Sequence, residues 1–187
     1  MKPHDHTVSP QPPASPLEKL EESSFLRQPM SDRQWRAHLA ALKIRLGSLD
    51  REQLHAAAGA IRSARDWLDR LLEQYCQITC PACPDVCCHA TRVFFNRTDL
   101  LAILALGLNP PPGQTRSVAC APCRYLTPAG CSLERILRPY VCVWYLCEAQ
   151  MDLFGKEPAS VQRRFTATLE SLRRARLRLE SLFEGSC

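Results

Sequence analysis

The chain has 187 residues, enough for one domain with a real core, and 11 of them are cysteine. Net charge is +5, and the surplus lies in the cysteine region and the C-terminal stretch, because residues 1–75 hold 11 basic and 10 acidic side chains. So mild a bias falls short of a nucleic-acid signature. The N-terminal stretch has no apolar signal core, and no run of ~18 apolar residues occurs, so neither an ordinary secretory leader nor a transmembrane helix is expected. The compartment that follows is the reducing cytoplasm, where dense cysteines bind metal or do redox work more often than they form disulfides.

Residues 1–30 hold six of the 15 prolines, spaced by polar residues. That composition buries too little apolar surface to offset ordering entropy, so a disordered, solvated tail is predicted, with a weak docking segment at Leu17, Leu20, Phe25 and Leu26 as the lesser alternative. Order is expected from Ser31, where Ser31 and Gln34 fit a capping box. Trp35, Leu39, Leu42 and Leu46 follow at helical spacing until Gly47 and Ser48 interrupt. A second helix opens near Asp50, and Leu54, Ile61, Leu68 and Tyr75 recur every seven residues along it. Residues 31–75 therefore read as a helical hairpin. His38 and His55 ride on these helices as surface or boundary residues.

Between 76 and 150 the regular pattern fades. One apolar helix is predicted over residues 96–107, ended by Gly107 and a proline run. A last helix is predicted over 159–184, with Ser160 as a cap and Val161, Phe165, Leu169, Leu172, Leu179 and Leu182 as its stripe. Residues 173–178, RRARLR, lie on it as a solvated basic face, with contact to an acidic partner or nucleic acid as the alternative.

Ten cysteines fall between Cys76 and Cys147. Cys80 and Cys83 form a CxxC, and Cys120 and Cys123 form another; at this spacing one turn can aim two sulfurs at one ion. Cys87 and Cys88 are adjacent, so in regular structure their side chains diverge and can face different partners. Cys142 and Cys147 differ by ~140° on an unbroken helix, so either the helix breaks between them or they serve different partners. Pro139 marks a helix start, and Arg138 places a guanidinium where it offsets thiolate charge. Tyr140, Trp144 and Tyr145 are read as the apolar wall of the site. Cys76 continues the apolar stripe and reads as a small core hydrophobe, and Cys187 as a fraying terminus.

The ordered set CPACPDVCC, CRYL, GCSL and RPYVC resembles the YkgJ-type cysteine-cluster family, the zinc- or iron-chelating domain proteins. The resemblance covers roughly residues 78–150 and implies metal ligation by Cys80, Cys83, Cys87, Cys88, Cys123, Cys131, Cys142 and Cys147. Cys120 stands outside that pattern, and Glu134 and Val143 replace an aromatic and an arginine usual in the family. A related cysteine cluster occurs in flagellin lysine N-methylases, where it goes with a [4Fe–4S] cluster.

The fold expected is mainly α: a helical hairpin and a C-terminal helix around an irregular cysteine-rich region, 76–150, within one domain, 31–187. The function expected is cytoplasmic binding of zinc or iron through many thiolates. More than four sulfurs and an adjacent pair tilt the choice toward iron–sulfur. The alternatives are a cluster-dependent enzyme, redox or methyltransferase, and an adaptor whose zinc is purely structural. No dinucleotide, phosphate-loop or nucleophile motif is visible. The partners expected are the metal or cluster, and a protein met through the tail or the basic helix; membrane and nucleic acid are not expected.

Overall fold

The computed structural model of the protein describes residues 26, 28–81, 83, 86–89 and 93–185. Among the described residues, six helices make up the frame: α1 (Asp32–Leu46), α2 (Arg51–Thr79), α3 (Arg97–Ala105), α4 (Val141–Trp144), α5 (Glu148–Gly155) and α6 (Ala159–Glu184). An antiparallel hairpin, β1 (Leu126–Thr127) and β2 (Gly130–Cys131), is the only sheet among the described residues. Short 3₁₀ turns lie at Cys87–His89 and Arg135–Leu137. The fold is mainly helical, as the sequence predicts.

The start of α1 follows its capping box: the Ser31 hydroxyl accepts from Gln34 N, and the Gln34 side chain accepts from Ser31 N. Trp35 is fully buried, stacks at 5.6 Å on Phe95, and donates its indole N–H to Pro111 O at 2.8 Å. In α2, Asp50 caps Gln53 N at 2.9 Å, and Leu54, Ile61, Leu68 and Tyr75 are all buried. The helix runs on past Tyr75 to Thr79, since nothing breaks it before Pro81.

The pairing of these helices differs from the expected hairpin. The main partner of α2 is α6, and α1 lies on α3 instead. The two long helices carry matching stripes, with Phe165, Leu172, Leu179 and Phe183 of α6 buried against the core. Burying the longest pair of apolar faces together outweighs the advantage of a short connection. The start of α6 is also shifted: Pro158 is its cap, not Ser160, and no side chain caps it.

The packed domain begins earlier than Ser31. Leu26 and Met30 are 1% and 2% exposed, Leu26 O accepts from Gln114 Nε2 at 3.1 Å, and Met30 N donates to Arg116 O at 3.4 Å. These two apolar side chains give the end of the proline-rich stretch something to bury, which its average composition hides. Leu17, Leu20 and Phe25 lie outside the described residues.

Helix α3 is almost wholly buried and joins the frame to the cysteine region. Asn96 and Asp99 form its capping box, and Gly107, at φ +70°, follows its end. Arg97 pairs with Glu180 and, at 2.8 Å, with Glu184, while the Thr98 hydroxyl donates to Glu180. Arg176, from the basic run, is buried and pairs with Asp99 at 2.8 Å; Arg173, Arg174 and Arg178 are exposed. The run is therefore partly an internal anchor and partly a solvated face.

Leu179→Ala removes a fully buried side chain and is expected to cost about 2–5 kcal/mol. Ile44→Ala, at a position 77% exposed, should stay within about 0.5 kcal/mol of the parent. Urea unfolding followed by helical circular dichroism checks both; equal midpoints would contradict this core.

Candidate metal centre

Three separated stretches of chain bring cysteines to one place. The end of α2 supplies Cys76 and, as its C-cap residue, Cys80. The following loop and 3₁₀ turn supply Cys83, Cys87 and Cys88. Cys123 precedes the small hairpin and Cys131 ends its second strand, while Cys142 and Cys147 flank the break after α4. All nine line a single cavity of about 720 Å³. The eight cysteines of the sequence motif are thus all on its wall, although Cys80 and Cys147 are far apart in the chain. None of the ten described cysteines forms a disulfide.

Local chemistry explains each placement. The hairpin turns tightly because Gly130 adopts φ +105°, and the Thr127 hydroxyl donates to Gly130 O at 2.8 Å. Its base is fixed where Tyr125 donates its hydroxyl to Gly113 O at 2.7 Å. Cys123 N donates to Cys88 O at 3.0 Å, which ties the second cysteine stretch to the first. Helix α4 ends at Tyr145, where ψ rises to 121°, so the helix does break between Cys142 and Cys147. That break lets both sulfurs face one cavity, resolving the spacing problem of an unbroken helix.

Trp144 and Tyr145 line the cavity as an edge-to-face pair 6.1 Å apart, and each is 46% exposed. Tyr140, expected on the same wall, turns the other way, with the Arg176 guanidinium 4.2 Å over its ring. Cation–π attraction in a buried setting and a backbone bond to Asp99 hold it there. His89 is half-buried off the cavity wall, and Cys120 is exposed.

The floor of the cavity is positively charged. Arg138 is buried, donates Nε–H to Leu133 O at 2.9 Å, and places Nη2 3.3 Å from Glu73 Oε2. Arg135 Nε lies 3.3 Å from the same oxygen. Arg65, on α2, pairs with Asp69 and donates to the backbone carbonyls of Arg135 and, at 3.4 Å, Arg138. Three guanidiniums thus meet two carboxylates, leaving one positive charge in surplus. Arg135 Nη2 is buried without a hydrogen-bond partner. Sequence reasoning found Arg138 from its place beside Cys142. It missed Arg65, Arg135 and Glu73, whose partners lie some 60–75 residues away.

The thiols respond to these surroundings. The neighbouring Cys80 thiol, with Arg135 and Arg138 nearby, draws the Cys76 thiol down against the cost of burial. Cys80 is pushed up by its Cys76 neighbour and by burial. Cys87 is pushed up by its Cys88 neighbour and by burial. Burial, with Cys131 and Cys123 as neighbours, pushes Cys142 up to about 12, and Arg138 opposes the shift. Among the described residues, no three Cys, His, Asp or Glu side chains converge as they would on one ion. The sulfurs are spread around the cavity wall.

Comparison with known proteins identifies no relative: no family model, curated protein or solved structure matches the chain. Among the described residues, no helix is long and apolar enough to cross a membrane.

Asp99 supports Cys142 from outside the cavity. Its carboxylate accepts from Arg176 at 2.8 Å and from Tyr140 N at 3.0 Å, at the start of α4. Asp99→Ala leaves Arg176 buried and unpaired, which is expected to cost about 3–5 kcal/mol. It should also raise the alkylation rate of Cys142, measured by mass spectrometry; unchanged stability and reactivity would refute this role.

Proposed function

We propose that this chain is a cytoplasmic cysteine-cluster metal protein of the YkgJ type, in which thiolates hold zinc or iron, with an iron–sulfur cluster favoured. The observation that carries the reading is the meeting of nine cysteines, from three stretches, around one cavity. The donor set fits such a group. It is sulfur-rich, which selects zinc, copper(I) or iron–sulfur over hard cations. The surplus guanidinium charge and the unpartnered Arg135 Nη2 suit a negatively charged thiolate centre.

The number of sulfurs favours a cluster over a lone zinc ion, because one tetrahedral zinc takes four thiolates and nine cysteines line the cavity. Cys80, Cys83, Cys87, Cys88, Cys123, Cys131, Cys142 and Cys147 are the ligands the motif implies. A bound cluster would supply one-electron redox chemistry or structural cross-linking, while this chain's own residues hold its sulfurs and balance its charge.

A cluster-dependent enzyme, redox or methyltransferase, is the second reading. It is favoured by the half-exposed Trp144 and Tyr145, which open one side of the cavity to a second molecule.

Protein purified without oxygen tests the proposal. Metal analysis should give stoichiometric iron, with a brown colour that bleaches on reduction; stoichiometric zinc and no colour would select the structural-zinc reading. Protein that takes up neither metal would refute both. Removal of the metal by a chelator should loosen residues 78–98 and 115–150 in hydrogen exchange and spare much of α2 and α6, because the cysteine region has little regular apolar pattern of its own. Unchanged protection across the cysteine region would show that the core alone holds these loops.

A further inference from the structure

Cys76 precedes the motif cysteines and lies on the heptad stripe of α2, where a core position is expected. Its environment is not that of a hydrophobe. It lines the cavity, half-buried, and Gln150 Nε2 donates to its sulfur at 3.4 Å. Arg135 and Arg138 stand close by on the same cavity wall, sharing Glu73 Oε2 at 3.3 Å each, and Arg135 Nη2 is buried without a hydrogen-bond partner. N–H donors and surplus positive charge are what a metal-bound thiolate needs around it.

The helix supplies the geometry. Cys76 and Cys80 are one turn apart, so their side chains share a face of α2. Two thiolates on one tetrahedral ion, with bonds of about 2.3 Å, have sulfurs about 3.8 Å apart. Both residues line the same cavity, so one ion can be reached from this single helical turn.

We propose that Cys76 is a further metal-ligating thiolate of this site, binding the same zinc or iron as Cys80 from the last turn of α2. On binding, the sulfur gives a lone pair to the metal, and any proton it carries passes to solvent. The inference rests on the metal-binding reading above and extends its ligand set beyond the motif.

Full-length protein purified without oxygen, with its metal bound, tests it in two ways. In the first, iodoacetamide labelling is followed by mass spectrometry. Exposed Cys120 should label at once, while Cys76 and Cys80 stay protected and become reactive together when a chelator removes the metal. Protection of Cys76 that survives chelation while that of Cys80 is lost would overturn the proposal, as would Cys76 labelling at the Cys120 rate with metal bound. In the second, Cys76→Ser should transfer its metal to a chelator at least tenfold faster than the parent, and Cys120→Ser should match the parent. Equal transfer rates for the two variants would overturn the proposal. If Cys76→Ser fails to fold, the labelling of unaltered protein decides. Parent protein that binds no metal fails at the first step and sinks the metal reading itself, and this inference with it.

Discussion

The buried carboxylate of Asp99 joins the two halves of this protein. It caps α3 from within, accepts from Arg176 of α6, and accepts from Tyr140 N at the start of α4. One side chain thereby fixes the helical frame and the approach to Cys142 together. The arrangement makes physical sense because the cysteine region has few apolar side chains to anchor it. Buried pairs of this kind add little net stability when intact and cost much when broken, so they specify position more than they stabilise. Arg65 does the same work from α2, reaching the carbonyls of the Arg135–Leu137 turn.

The second constraint is electrostatic. Thiols crowded around one cavity cannot all ionise, since each charge opposes the next. Burial and neighbouring thiols accordingly push Cys80, Cys87 and Cys142 up, while Cys80 and then the two guanidiniums draw Cys76 down. A bound cation reverses that balance. It displaces protons from the remaining thiols, so affinity should climb as pH rises and protons compete less well. The surplus guanidinium charge lowers the repulsion that a thiolate-rich centre would otherwise create.

Much of this architecture is legible in the sequence. The capping box at Ser31 and Gln34, the seven-residue recurrence in α2, and the stripe of α6 each depend on spacing within one helix, and local spacing is what a sequence displays. The eight motif cysteines do line one cavity. What the sequence hides is pairing across distance. Nothing in the spacing of α1 or α2 tells that α2 prefers α6. Tyr140 reads as a site residue until Arg176 claims its ring. Cys76 reads as core because a heptad pattern cannot show that the helix end tilts that face toward a cavity. Leu26 and Met30 are masked by the prolines around them.

The central claim is that sulfur atoms from separate stretches of this chain hold a metal in one cavity. X-ray absorption at the metal edge, on protein purified without oxygen, tests it most directly. The account predicts a nearest shell made of sulfur alone, near the ~2.3 Å typical of thiolate ligation. For a cluster, a second shell of metal should lie beyond it. A nearest shell of nitrogen or oxygen at shorter distance would contradict the account, since it would place the metal away from the cysteines.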